Sequence, residues 1–201
     1  MMHKKPPPRL LWLSVLLLGC SGPGDSDTPV PVEQLEALTW ERAANITYLV
    51  PDEESIHLKG GRWEGEPYAP GGASRPSAGL KKDFMVLGDL TGDGQSEAAV
   101  VLWQSSGGSG TFNHVAVVGH ANGEIANFAT APLGDRVKTF DGRIIDGTIQ
   151  LEVLQHDDDD PACCPTQRAL RTWEFQNGVL LERPAVIISS TKPLSGDPEN
   201  R

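Results

Sequence analysis

Residues 142–155, GRIIDGTIQLEVLQ, set two apolar runs on either side of Asp146-Gly147. A two-residue hairpin loop of the favoured type needs positive φ at both central positions, which Asp-Gly and Asn-Gly tolerate best. Upstream, HANGEI (120–125) repeats the device with Asn122-Gly123, and downstream FQNGVL (175–180) repeats it with Asn177-Gly178. Three such turns within about 60 residues predict an antiparallel meander.

The neighbouring segments extend that pattern. DFMVLGD, EAAVVLWQ and TFNHVAVVGH are apolar runs bounded by turn residues, which reads as buried strands. SIHLKGGRWEG alternates through Ile56, Leu58 and Trp63 around a Gly60-Gly61 turn, and PYAPGGASRPSAG is a loop by composition. Only VEQLEALTWERAAN has helical spacing, with Leu35, Leu38 and Ala43 on one face and Glu33 and Glu36 early, where the helix dipole favours acids. The expected fold class is mainly β, an α+β chain built as an antiparallel β meander with one short N-terminal helix. Glycine supplies 22 of 201 residues, about 11% against a usual 7% or so, which suits many turns.

The first 20 residues, MMHKKPPPRLLWLSVLLLGC, join a basic segment (Lys4, Lys5, Arg9) to the apolar run Leu10–Leu18. That run is shorter than the ~20 apolar residues a membrane-spanning helix needs, and it fits the core of a signal peptide. LLGC resembles the lipobox of bacterial lipoproteins, with Leu18 departing from the small residue usual before the glycine. The resemblance implies a signal peptide over 1–19, lipidation at Cys20 and membrane attachment through that anchor. Ser21, in such proteins, implies export to the outer membrane facing the periplasm. Residues 20–31 read as a flexible tether of Gly, Pro, Ser and Asp, 32–186 as one domain, and 187–201 as a disordered tail. After removal of 1–19, 14 basic residues face 27 acidic ones, a formal charge of −13. Such a chain repels phosphate backbones, which excludes nucleic acid as the expected partner; a protein or small molecule remains open.

The densest cluster of polar side chains is VLGDLTGDGQSEAAVVL, residues 86–102. Numbered from Asp89, oxygen ligands fall at positions 1, 3, 5 and 9 as Asp89, Thr91, Asp93 and Glu97, with the Gln95 carbonyl at 7 and Gly94 at 6. Odd spacing in a curled loop and an all-oxygen set suit Ca²⁺. Position 12 is Val100, where an EF-hand has glutamate, and a strand follows instead of a helix. The loop resembles the calcium loops of FG-GAP and integrin-type repeats, departing at Thr91 and Glu97. The alternative is a tight turn in which Asp89 and Asp93 cap backbone N–H groups.

GDLTGDGQSEAAVVL, GGSGTF, LGDRV, DGTIQLEV and DPACCP, in that order, resemble a family of bacterial secreted proteins and lipoproteins. Some members carry this region ahead of a META-type domain. The likeness covers roughly residues 45–181 and implies a fold and an exported address without a chemistry. His114 departs from the aromatic residue expected there, and no META-like stretch follows Leu181.

Cys163 and Cys164 are neighbours between Pro161 and Pro165. In an oxidising compartment they suggest a vicinal disulfide, either stiffening a loop or serving thiol exchange. The acidic run Asp157–Asp160 beside His156 reads as a solvated loop, and Asp135-Arg136 as a salt bridge at a turn. His57, His114 and His120 fall in strand-like stretches without helix-spaced ligand partners. The leading expectation is a non-enzymatic binding or interaction module of the cell envelope. A hydrolase using Asp89, Asp93 or His114 stands second, and a thiol-redox accessory through Cys163 and Cys164 third.

Overall fold

The computed structural model describes residues 37–51 and 55–190. The expected signal peptide, Cys20, the tether, the start of the helical stretch and residues 191–201 lie outside them.

A short helix α1 (Trp40–Ala43) leads into β1 (Thr47–Tyr48), β2 (Ile56–His57) and β3 (Arg62–Glu64). The long strands follow: β4 (Ser77–Gly88), β5 (Glu97–Ser105), β6 (Phe112–Ala121) and β7 (Glu124–Asp135). Four more complete the chain, β8 (Lys138–Ile145), β9 (Thr148–Gln155), β10 (Gln167–Gln176) and β11 (Val179–Ser190). They form a five-stranded sheet β3-β4-β5-β6-β7, a four-stranded sheet β11-β10-β9-β8 and a small β1-β2 ribbon, all antiparallel. Every pairing joins strands adjacent in sequence, so both large sheets are meanders.

The turn chemistry expected from sequence holds. Asn122 and Gly123 have φ of 54° and 84°, Asp146 and Gly147 48° and 67°, Asn177 and Gly178 50° and 79°. All three are the positive-φ pairs that match the twist of the strands they connect.

Two cores flank the five-stranded sheet. Ala99 and Val101 of β5 face Ile149, Leu151, Val153, Ala169 and Trp173 of the four-stranded sheet. Ala98, Val100 and Leu102 face the other way, against Ala43, Ala44, Tyr48 and Leu58. A strand covered on both faces has no position left for alternation, which is why EAAVVL is continuously apolar. Tyr48 carries its hydroxyl into the second core, donating it to the Ala43 carbonyl at 2.8 Å, and burial pushes its pKa up.

Three features differ from the sequence reading. The helix is four residues long: Thr39 caps it by accepting the Arg42 N–H, and residues 37–39 are not helical. Asn45 ends it, its amide donating to the Glu41 carbonyl while its side-chain oxygen accepts the Gly60 N–H. In β4, Lys81–Phe84 lie opposite the single residue Val101, since Leu80 pairs with Leu102 and Met85 with Val100. Asp83 takes φ 58° inside this bulge. Lys81 Nζ donates to the Thr139 carbonyl of the other sheet, and Trp40 Nε1 donates to the Lys81 carbonyl, so the bulge ties helix to both sheets. Finally, β11 continues to Ser190, past the expected boundary at 186. Pro184 is tolerated within it, as is Pro132 within β7, because both strands are sheet edges.

Candidate functional site

The Asp89–Glu97 loop joins β4 to β5 directly after the pair Gly88–Glu97. Asp89 accepts the Gly92 N–H through Oδ1 at 2.7 Å and the Gly94 N–H through Oδ2 at 3.0 Å. Asp93 Oδ1 accepts the Gln95 N–H at 2.8 Å, and its other oxygen meets the Gln95 amide at 3.4 Å. Glu97 is 3% exposed, and its Oε2 accepts the N–H of Leu90 at 2.9 Å and of Thr91 at 3.1 Å. Gly92 and Gly94 hold φ of 80° and 83°, the conformation the loop needs from glycine. Each carboxylate thus compensates backbone donors that the turn leaves without strand partners. Thr91 and Gln95 enter through their backbone N–H groups. Among the described residues, no three His, Cys, Asp or Glu side chains gather as a cation cage.

His114 does not join these acids. It is 8% exposed on β6 and pairs with Leu102. Leu102 lies five residues along β5 from Glu97, about 17 Å at strand rise. The His–Asp combination that a hydrolase would need is therefore not assembled from Asp89, Asp93 and His114.

The thiols lie in the β9–β10 connection, at the opposite end of β10 from the Asn177-Gly178 turn. Cys163 and Cys164 form a vicinal disulfide with Cα atoms 3.7 Å apart, and both are exposed. Asp160 organises the loop. Its carboxylate accepts the Asp157 N–H at 2.8 Å, the Thr166 N–H at 2.7 Å and the Thr166 hydroxyl at 2.8 Å. The Asp157 N–H foremost, then the Thr166 donors and the nearby His156, lower its pKa against the opposing cost of burial. So the acidic run is not uniformly solvated; its last member is a structural acceptor.

Arg136 links this loop to two others. Its backbone, at φ 50°, donates to the Thr111 carbonyl at 2.7 Å. Its guanidinium reaches the Asp135 carboxylate and the carbonyls of Ala162 and Ser109. Asp135 in turn accepts the Thr111 N–H at 2.9 Å. The expected salt bridge is present, and the three-loop tie built on it was not foreseen. No local signal marks it, because Ser109 and Ala162 meet Arg136 only through the tertiary fold.

Exposed apolar side chains collect on the outer face of the four-stranded sheet. Leu181 pairs with Glu174 and Val186 with Leu170, which places both on one face of that sheet. They are 49% and 61% exposed. Ile188, 52% exposed, lines a shallow cleft there with Leu170, Gln150 and Glu152. Arg168 lies over the exposed Phe140 ring at 5.0 Å.

The molecule is thus a two-meander antiparallel sandwich with a second apolar layer on its larger sheet. Comparison with protein-family models, curated proteins and solved structures gave no match.

Proposed function

We propose that the chain is a cell-envelope lipoprotein, lipidated at Cys20 and facing the periplasm from the outer membrane, whose sandwich is a non-enzymatic interaction module. The observation that carries the module reading is the apolar strip Leu181, Val186 and Ile188 on the outer face of the four-stranded sheet. Exposed apolar side chains grouped along one strand, here interrupted by the Arg183–Glu174 ion pair, suit a contact surface. The partner this strip suits is a protein with an apolar face. The negative charge of the rest of the chain favours basic residues at that partner's rim. Against the enzyme reading stands the engagement of Asp89, Asp93 and Glu97 with backbone donors, together with the burial of His114 on β6, opposite Leu102 and away from that loop.

The test is capture from detergent-solubilised envelopes by the full chain, with Val186→Asp and Ile188→Asp as comparison. Both side chains are exposed, so neither substitution burdens a core. Loss of a specific captured protein in both variants supports the strip; identical capture profiles for wild type and both variants overturn it.

A further inference from the structure

The Cys163–Cys164 bond does little for the fold. Disulfide stabilisation grows with the length of chain it closes, and this bond encloses no intervening residue. Its loop is shaped by other means. Asp160 accepts the donors of Asp157 and Thr166, the Cys164 N–H donates to the Pro161 carbonyl at 2.9 Å, and Arg136 holds the Ala162 carbonyl. The bond is nonetheless presented to solvent, with both cysteines exposed in a loop pinned on either side. Its Cα separation of 3.7 Å lies below the usual disulfide span of about 4.4–6.8 Å. Bonds that are exposed and constrained belong to the reducible class.

We propose that Cys163 and Cys164 form a thiol–disulfide exchange site whose substrate is a dithiol protein with a basic face. In the exchange, a partner thiolate attacks one Sγ; the Cys163–Cys164 bond breaks, a mixed disulfide forms and the other cysteine leaves as thiolate. The partner's second thiol then attacks the mixed disulfide and releases the first cysteine. Two electrons and two protons pass from the partner, which ends as a disulfide, to the vicinal pair, which ends as two thiols. The same steps in reverse reduce a partner disulfide and re-form the Cys163–Cys164 bond.

The acids beside the bond set the preference for charge. Asp157 and Asp158 lie a few residues before it, and Asp158 is exposed. An anionic attacking thiol is repelled there and a cationic one is drawn in. Arg136, acting through the Ala162 carbonyl, is a positioning residue that keeps the pair presented.

The experiment uses the full native chain and two monothiol probes, cysteamine (cationic) and mercaptoethanesulfonate (anionic), at equal thiolate concentration. Release of Cys163 and Cys164 is read by alkylation and mass mapping. Cysteamine should open the bond about tenfold faster at low salt, and the gap should close in 0.5 M salt as the field is screened, where the Debye length is only a few ångström. The Cys163→Ser/Cys164→Ser variant should melt within about 2 °C of wild type, well short of what loss of a fold-stabilising cross-link produces. Equal rates for the two probes would overturn the charge selection. Opening only after denaturant, or a melting temperature several degrees lower in the double variant, would show the bond to be a structural staple instead.

Discussion

Glu97, the first residue of β5, turns its carboxylate back to accept the N–H of Leu90, 2.9 Å away and seven residues earlier in the chain. Leu90 is itself buried in the core between the sheets, so this bond fixes the loop at the point where it enters the apolar interior.

Glu97→Ala removes the acceptor for two backbone donors, those of Leu90 and Thr91. Leaving such groups unsatisfied costs about 1–3 kcal/mol each when buried. With Thr91 part-exposed, the expected destabilisation is about 2–3 kcal/mol, and Glu97→Gln should lose about half as much. Urea unfolding of the two variants measures this; an effect below about 0.5 kcal/mol for Glu97→Ala would show that water replaces the carboxylate.

Calcium and chelator should give wild-type protein the same melting temperature, because the carboxylates of Asp89, Asp93 and Glu97 already have backbone donors. A bound ion at 100 times its Kd would instead add about 2.7 kcal/mol, visible as a shift of several degrees that Asp93→Asn abolishes. Gly94→Ala should destabilise with or without calcium, by about 1 kcal/mol or more, since φ there is 83°.

Asp160 gives the β9–β10 loop a pH dependence of known sign. Its folded pKa is depressed, so its contribution is fully present above the unfolded value of about 3.9. It is lost as pH falls through the lower folded value. Backbone amides of Asp157 and Thr166 should therefore lose hydrogen-exchange protection in that acid range, after correction for intrinsic rates. In Asp160→Asn the protection should be weaker at neutral pH and flat across the titration.

Cys20→Ser should leave the protein unprocessed or soluble where wild type fractionates with membranes. Acyl anchoring is hydrophobic and indifferent to ionic strength. Release of wild type by a salt wash alone would refute lipidation as the means of attachment.

The hairpins were readable because their chemistry is local: positive φ at two adjacent positions selects Asn-Gly or Asp-Gly whatever lies around them. The double burial of β5 was equally readable, since Ala98–Leu102 offers no polar position to solvent. What covers each face was not, because alternate residues of one apolar run look alike until two different layers pack on them. The helix was read too long. Leu35 and Leu38 supply a helical spacing, yet Thr39 is a better cap than interior residue, and the described helix begins after it. The Lys81–Phe84 bulge and the Arg136 tie left no trace in local pattern, as both depend on carbonyls of Thr139, Ser109 and Ala162 brought near only by folding. The same holds for Asp160, whose neighbours in sequence are acids of identical type.

Among the described residues, the chain passes from one large sheet to the other once, at Arg136 and Val137 between β7 and β8. A cut at that link would leave two lengths of polypeptide, each a finished sheet with one bare apolar face that fits the other. The molecule is therefore divisible in a way most sandwiches with interleaved strands are not, and its halves are suited to recombination as separately made fragments. The strands of the first sheet also all precede those of the second in the chain, so the first sheet can be completed before any of the second has followed.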